Sequence, residues 1–205
     1  MSENDLRVIK TLQQIDHALL TLLKELPFQK ITVNLLCKTA LINRSTFYKY
    51  YTDKYDLLDR YIDRILLEFQ EHVNVDFVIT NPEQMGDEFY QSPFRSLTSF
   101  LFTKKEEYLV LWNASIERHP YNEMTNLIYT QILEKLLSAY PDLSQKQVYC
   151  ELYAQLFSSN MMTLISWWLN NTHTVSAEDV QKIMHENMKR GLFYTFRHHI
   201  RDCSQ

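Results

Sequence analysis

Apolar residues return every three or four positions along most of the chain. Over residues 5–26 they fall at Leu6, Ile9, Leu12, Ile15, Leu19, Leu22, Leu23 and Leu26. That spacing predicts an amphipathic helix with its charges on the opposite face. Pro27 ends it, because the residue before a proline is pushed out of the α region. The pattern then shortens. Thr32 offers a cap to a helix over 33–40 that buries Leu35, Leu36 and Ala40, and the side-chain oxygen of Asn43 offers one to a second short helix over 44–50. Asp53 opens a longer helix, in which Leu57, Leu58, Tyr61, Ile62, Ile65, Leu66 and Phe69 carry the periodicity to about residue 75.

Asn81-Pro82, Gly86 and Ser92-Pro93 interrupt the pattern, so short helices are expected over 82–89 and 93–102, followed by one over 104–116. His119-Pro120 opens a helix over 120–140, closed by Pro141. Ser144-Gln145-Lys146-Gln147 has capping-box spacing ahead of a helix to about residue 169, and Ser176-Ala177-Glu178-Asp179 caps a last helix over 177–198. Joined by the short NNTHTV link, these two should form an antiparallel hairpin.

Composition agrees with helices throughout. Only Gly86 and Gly191 occur among 205 residues, whereas strand-rich folds need glycine for tight hairpins and bulges. The fold class expected is therefore all-α. Cys37, Cys150 and Cys203 are odd in number, far apart and in no CxxC pair, which argues against a disulfide framework or a zinc ribbon and fits a reducing cytoplasm. The start, MSENDLRVIK, lacks an apolar signal core. No apolar run reaches membrane length, so no membrane partner is expected.

Charge changes the picture locally. The chain carries a net −4, yet between Phe28 and Lys54 five cations (Lys30, Lys38, Arg44, Lys49 and Lys54) face a single acid, Asp53. Within that segment, LINRSTFYKYY interleaves four aromatics with two cations. Two short helices around a tight turn, Leu41-Ile42-Asn43, make a helix-turn-helix. Ile42 should plug the gap between the helices and Phe47 should point inward. Arg44, Ser45, Thr46, Tyr48 and Lys49 should stay outward, where the start of such a helix meets base edges in a major groove. Arg44 suits guanine, Ser45 either type of pair, and the Thr46 methyl suits thymine. Tyr48, Lys49 and Lys54 suit phosphates, which position a protein without being read. With Thr32 at the start of the first short helix, these are the candidate DNA contacts.

The run ITVNLLCKTALINRSTFYKYYTDKYDLL resembles the DNA-binding segment of TetR-type (TetR/AcrR) transcriptional regulators. The matching residues are Thr32, Ala40, Ile42-Asn43, Thr46-Phe47-Tyr48, Tyr50-Tyr51, Asp53-Lys54 and Leu57-Leu58, and the likeness extends over about residues 5–65. Leu41 stands where members usually carry glycine, and a leucine held at positive φ is strained. The resemblance implies a DNA-binding domain over 1–54 and a larger regulatory and dimerisation domain over 55–205. It also implies a homodimer, usually a repressor, on a palindromic double-stranded operator. A small ligand would act by shifting the helix that begins at Lys54.

The second domain is rich in aromatics and methionines, which pack cores by default and also line apolar ligand pockets. Candidate pocket residues for a small apolar or aromatic ligand are Trp112, Asn113, His119, Phe157, Asn160, Met161 and Trp167. The last two helices carry more apolar surface than one neighbouring face covers. Leu152, Leu156, Ile183, Met184, Met188 and Leu192 are the candidate dimer interface, four helices about a two-fold axis. Asp56, Asp59 and Asp63 share a face, but Arg60 and Arg64 stand beside them, so ion pairing in solvent is expected there and no metal site. No cofactor is expected. No nucleophile–base pair or metal-ligand spacing suggests catalysis, so the chain is expected to be a regulator and not an enzyme. The alternatives are a DNA-bound adaptor or activator that contacts a protein partner, and an all-helical enzyme or small-molecule carrier.

Overall fold

The first helix, α1 (Glu3–Glu25), buries Ile15, Ala18, Leu19, Leu22 and Leu23, while Leu6 and Ile9 in its opening turns are exposed. The structure, a computed structural model, describes residues 3–79, 87–139 and 147–191. After Pro27 comes a single 3-10 turn, Phe28–Lys30, with Phe28 buried. Then follow α2 (Val33–Thr39), α3 (Arg44–Tyr50) and α4 (Lys54–His72). A second 3-10 turn spans Asp76–Ile79. The remaining helices are α5 (Asp87–Thr103), α6 (Lys105–Asn113), α7 (Pro120–Ala139), α8 (Gln147–Asn170) and α9 (Ala177–Arg190). No strand occurs among the described residues, and the fold is all-α.

The chain packs as two compact units, residues 1–68 with 106–120, and residues 69–105 with 121–205. In the first, Leu57, Leu58, Tyr61, Ile62 and Ile65 of α4 are buried together with the inner residues of α1 and with Leu36, Phe47 and Tyr51. The 106–120 segment belongs to this unit through specific bonds. The Tyr61 hydroxyl donates to the Glu107 carboxylate, and Arg118 pairs with Asp63 at 2.8 Å. The Phe28 N–H also reaches the Ser115 carbonyl at 3.4 Å. Burial and the adjacent Glu107 carboxylate push the Tyr61 phenol well above its ordinary range, so it stays a donor.

In the second unit, α5 continues through Pro93 without a break, where an interruption was expected. Proline inside a helix costs about 3 kcal/mol through a lost hydrogen bond and a clash. Phe94, Leu97 and Leu101, on the part of α5 after the proline, are fully buried, at about 1.5–3 kcal/mol each, and α5 packs on α9. Within the same unit Met124, Ile128 and Ile132 of α7 are buried at four-residue intervals, and Ala154, Ser158, Met161, Met162, Ile165 and Trp168 of α8 are buried too. The buried Gln181 amide of α9 donates to the Thr98 hydroxyl of α5 at 2.7 Å, and that hydroxyl donates to the Phe94 carbonyl at 2.7 Å. A buried polar pair is tolerated when its bonds are made.

Side-chain caps set the starts of α4 and α9. Ser176 and Asp179 form a reciprocal capping box on α9, and Asp53 accepts the Tyr55 and Asp56 N–H groups at 2.8 and 2.9 Å. α4 stops at His72, three residues before the expected end. Of the helix expected over 82–89, residues 82–86 lie outside the described residues, as do Ser144, Gln145 and Lys146 of the expected capping box Ser144-Gln145-Lys146-Gln147. The last helix, expected to run to 198, ends at Arg190 with Gly191 as its C-cap, and residues 192–198 lie outside the described residues.

Candidate nucleic-acid interface

Three locally coded elements build the interface. The Thr32 hydroxyl oxygen accepts the Leu35 N–H at 3.2 Å and starts α2. Its own O–H remains to donate outward, so one hydroxyl serves both cap and contact. Cys37 and Leu36 are buried beneath, and burial pushes the Cys37 thiol up from its ordinary value, which suits a packing residue better than a reactive one.

The turn between α2 and α3 keeps a left-handed residue. Leu41 sits at φ 57, with its side chain 87% exposed. Its N–H donates to the Lys38 carbonyl at 3.3 Å, and the Ile42 N–H donates to the Cys37 carbonyl at 3.0 Å. Those two bonds are a Schellman closure, in which the left-handed position is usually glycine. The turn has thus kept the geometry and accepted the strain. Asn43 stands at the start of α3 with extended backbone, but its side chain makes no capping bond. The expected Asn43 cap is absent, and its carbonyl alone receives the N–H groups of Thr46 and Phe47 at 3.0 and 3.2 Å.

On α3, Phe47 is wholly buried and contacts Tyr51, ring centres 5.6 Å apart. That anchor turns Arg44, Ser45, Tyr48 and Lys49 outward, all exposed, with Thr46 half-buried. Arg44 donates to the Tyr48 hydroxyl at 3.3 Å and lies 5.7 Å from its ring centre. The Lys49 ammonium lies 5.6 Å from the Tyr50 ring. The guanidinium is thus held along the outer face of α3, which lowers the entropy lost when it docks. Lys30 and Lys38 are exposed too and add to the cationic segment; the composition of the segment signalled them, but neither was among the expected contacts.

Lys54 corrects an expectation. Its ammonium donates to the carbonyls of Phe28, Gln29 and Ile31 at 2.9, 3.1 and 2.8 Å. An ammonium has three donor hydrogens, and all three are engaged. Lys54 ties the turn before α2 to the start of α4 and has no hydrogen left for a phosphate.

The expected pocket residues are divided between the two units. Trp112, Asn113 and His119 belong to the first unit, and Phe157, Asn160, Met161 and Trp167 to the second. Asn113 and His119 are exposed, Trp167 is exposed on α8, and Met161 is core. A cleft of about 450 Å³ does open in the second unit, between α7 and α8. Tyr121, Asn122, Thr125, Asn126 and Tyr129 line its α7 side, and none of the expected residues takes part. Polar residues spaced along a helix read as a solvated face, so only the α7–α8 packing reveals this site.

For the expected dimer face, Leu152 and Leu156 are 51% and 54% exposed. Val148, Tyr149 and Tyr153 of α8 are exposed apolar neighbours. Ile183 is half-buried. Met184 is 1% exposed, covered within its own unit, where α9 packs on α5; it cannot face a partner without unpacking. The Met188 side chain and Leu192 lie outside the described residues. Among those residues, no helix is long and apolar enough to cross a membrane.

Residues 88–190 match a family described as "Transcriptional regulator C-terminal region". By sequence, no curated protein matches the chain. Among solved structures, the chain is similar to the fatty acid degradation regulator FadR from Bacillus halodurans, with a TM-score of 0.56 at 14% identity over 89% of this chain and 96% of that one. A second similar structure is the dihydroxyacetone kinase operon activator DhaS, with a TM-score of 0.47 at 16% identity over 86% and 90% of the two chains.

Proposed function

The chain belongs to the TetR-type transcriptional regulators, DNA-binding proteins, and from that premise we propose that it is a ligand-responsive repressor that reads a palindromic operator as a homodimer. The observation that carries the reading is α3, where a wholly buried Phe47 turns Arg44, Ser45, Tyr48 and Lys49 to solvent. Arg44, Ser45 and Thr46 read base edges; Thr32, Tyr48 and Lys49 hold phosphates. The two copies meet through the exposed apolar face of α8 around Leu152 and Leu156, which sets the two recognition helices about one turn of DNA, roughly 34 Å, apart. Occupying a promoter blocks polymerase without further machinery, which favours repression. In this reading the chain works in the cytoplasm by binding and catalyses nothing.

A second reading draws on the same α8 face: an adaptor or activator would use those apolar residues to hold another protein. Binding-site selection from random duplex DNA with the purified chain at near-physiological salt tests the main one. A palindrome with half-sites one turn apart is the expected outcome, and recovery of nothing above background overturns it.

A further inference from the structure

The α7–α8 cleft has a lining whose chemistry is specific. On α7, Tyr121, Thr125 and Tyr129 recur at four-residue intervals with Asn122 and Asn126 beside them, so five side chains share one face. On α8, Gln155, Ser159 and Thr163 recur at the same interval. Every one of these side chains can hydrogen-bond and none carries a charge. Some of that capacity is used locally: Thr125 donates to the Tyr121 carbonyl at 2.8 Å, and the Gln155 amide donates to the Ser159 hydroxyl at 3.0 Å. At about 450 Å³ the cleft falls in the usual range of small-molecule sites, about 300–1,000 Å³.

Three classes of occupant can be weighed on that lining. A phosphate- or carboxylate-bearing ligand would lose hydration with no opposite charge to replace it, a cost of several kcal/mol. An apolar ligand would cover amides and hydroxyls without giving back their bonds to water. A neutral molecule bearing several hydroxyls both donates and accepts, as amides and hydroxyls do. Tyr121 and Tyr129 stand two turns apart, about 12 Å along the helix axis, and give aromatic faces for the apolar side of a ring at each end. We propose that this cleft is the effector site and that it takes a neutral, polyhydroxylated molecule of disaccharide size. The proposal rests on the reading of the chain as a ligand-responsive regulator, and replaces the apolar ligand expected from the aromatic content.

Saturation-transfer NMR on the full chain tests it with maltose and trehalose as neutral probes, glucose 6-phosphate and glucuronate as charged ones, and indole as an apolar one. Transfer to a neutral disaccharide alone is expected, with affinity falling about tenfold or more in Asn126→Leu and in Gln155→Leu. Both positions are exposed, so circular dichroism should show each variant folded, and Glu178→Gln in α9 serves as the unaffected control. No transfer from either disaccharide, preferred binding of a charged probe or indole, or undiminished binding in both variants overturns the proposal. A disulfide-linked dimer formed by Thr163→Cys would put a second copy in the cleft and overturn it too. The operator selection is independent of all these outcomes: a palindrome recovered without disaccharide binding removes the ligand class and leaves the regulator.

Discussion

The Lys54 ammonium lies 2.9 Å from the carbonyl oxygen of Phe28 and 4.7 Å from the centre of the same residue's ring. With the bonds to Gln29 and Ile31, this makes Lys54 a clasp within the first unit. Lys54→Met is expected to cost on the order of 2–3 kcal/mol, because carbonyls that shared one charged donor are left without it. Lys54→Arg should not restore the loss, since a planar fork cannot converge on three carbonyls as an ammonium does. Urea unfolding measures both. The salt dependence of DNA binding should keep its slope in Lys54→Met; a slope shallower by about 1 would return Lys54 to the phosphate contacts.

Leu41 closes α2 in a conformation that costs a non-glycine residue about 1–2 kcal/mol, and its exposed side chain recovers little by burial. Glycine would release that strain but add unfolded-state freedom worth about 0.4–1 kcal/mol. Leu41→Gly is therefore expected to stabilise the chain by up to about 1 kcal/mol. Leu41→Val, branched at Cβ, should destabilise it. Unfolding midpoints that rank valine above glycine would mean the turn is held differently.

Two carboxylates of the first unit have opposite pH signatures. Asp56 is held below its ordinary 3.8 chiefly by the Thr52 N–H and then by Arg60. Its stabilisation is present above that value and is lost as pH falls through the lowered pKa. Asp16 is raised from 3.8 by burial, against the attraction of Arg64. Its stabilisation is present below the ordinary value and is lost as pH rises through the raised pKa. At neutral pH, Asp56→Asn should lower stability while Asp16→Asn should keep or raise it. Denaturation from about pH 3 to about pH 7 checks both signs, and a stability loss in Asp16→Asn at neutral pH would show that its bond to Arg64 outweighs the burial.

How legible each part was follows from the range of the interaction behind it. The helix-turn-helix depends on Thr32, Leu41, Phe47 and Asp53, each acting on neighbours a few residues away, so the sequence displays it. Lys54 and Phe28 are 26 residues apart, and nothing in either residue's surroundings announces their bond. Pro93 reads as a stop because a proline's local cost is legible in the sequence, whereas the packing of α5 on α9 is a tertiary effect. For Met184 the pattern marked an apolar face but not the burial it meets, in a helix that packs on both α5 and α8. The cleft residues are not legible in the sequence, because hydroxyls and amides in helical register look the same whether they meet solvent or each other.

An apolar α8 face is costly to leave in water and is expected to be covered by a second copy. Leu152→Glu with Leu156→Glu places two charges on it without touching the buried side of the helix. Sedimentation at micromolar concentration should show the unaltered chain as a dimer and this variant as a monomer. Operator affinity should fall by about a hundredfold or more, since joined half-site binders gain that much from being linked. A variant that stays dimeric would remove α8 from the interface.

Arg44 and Lys49 are both exposed on α3 but should fail in different ways. Arg44 presents a planar fork suited to the two acceptors of guanine. Arg44→Ala should cost about 1–3 kcal/mol on the selected operator, far less on scrambled DNA, and relax base choice at one position of each half-site. Lys49 is a point charge that meets a phosphate whatever the base. Lys49→Ala should weaken operator and scrambled DNA alike and make the salt slope shallower by about 1. Fluorescence anisotropy with both duplexes at several salt concentrations separates the two patterns. Equal losses on both duplexes for Arg44→Ala would move it to the phosphate contacts and leave Ser45 and Thr46 to carry the reading.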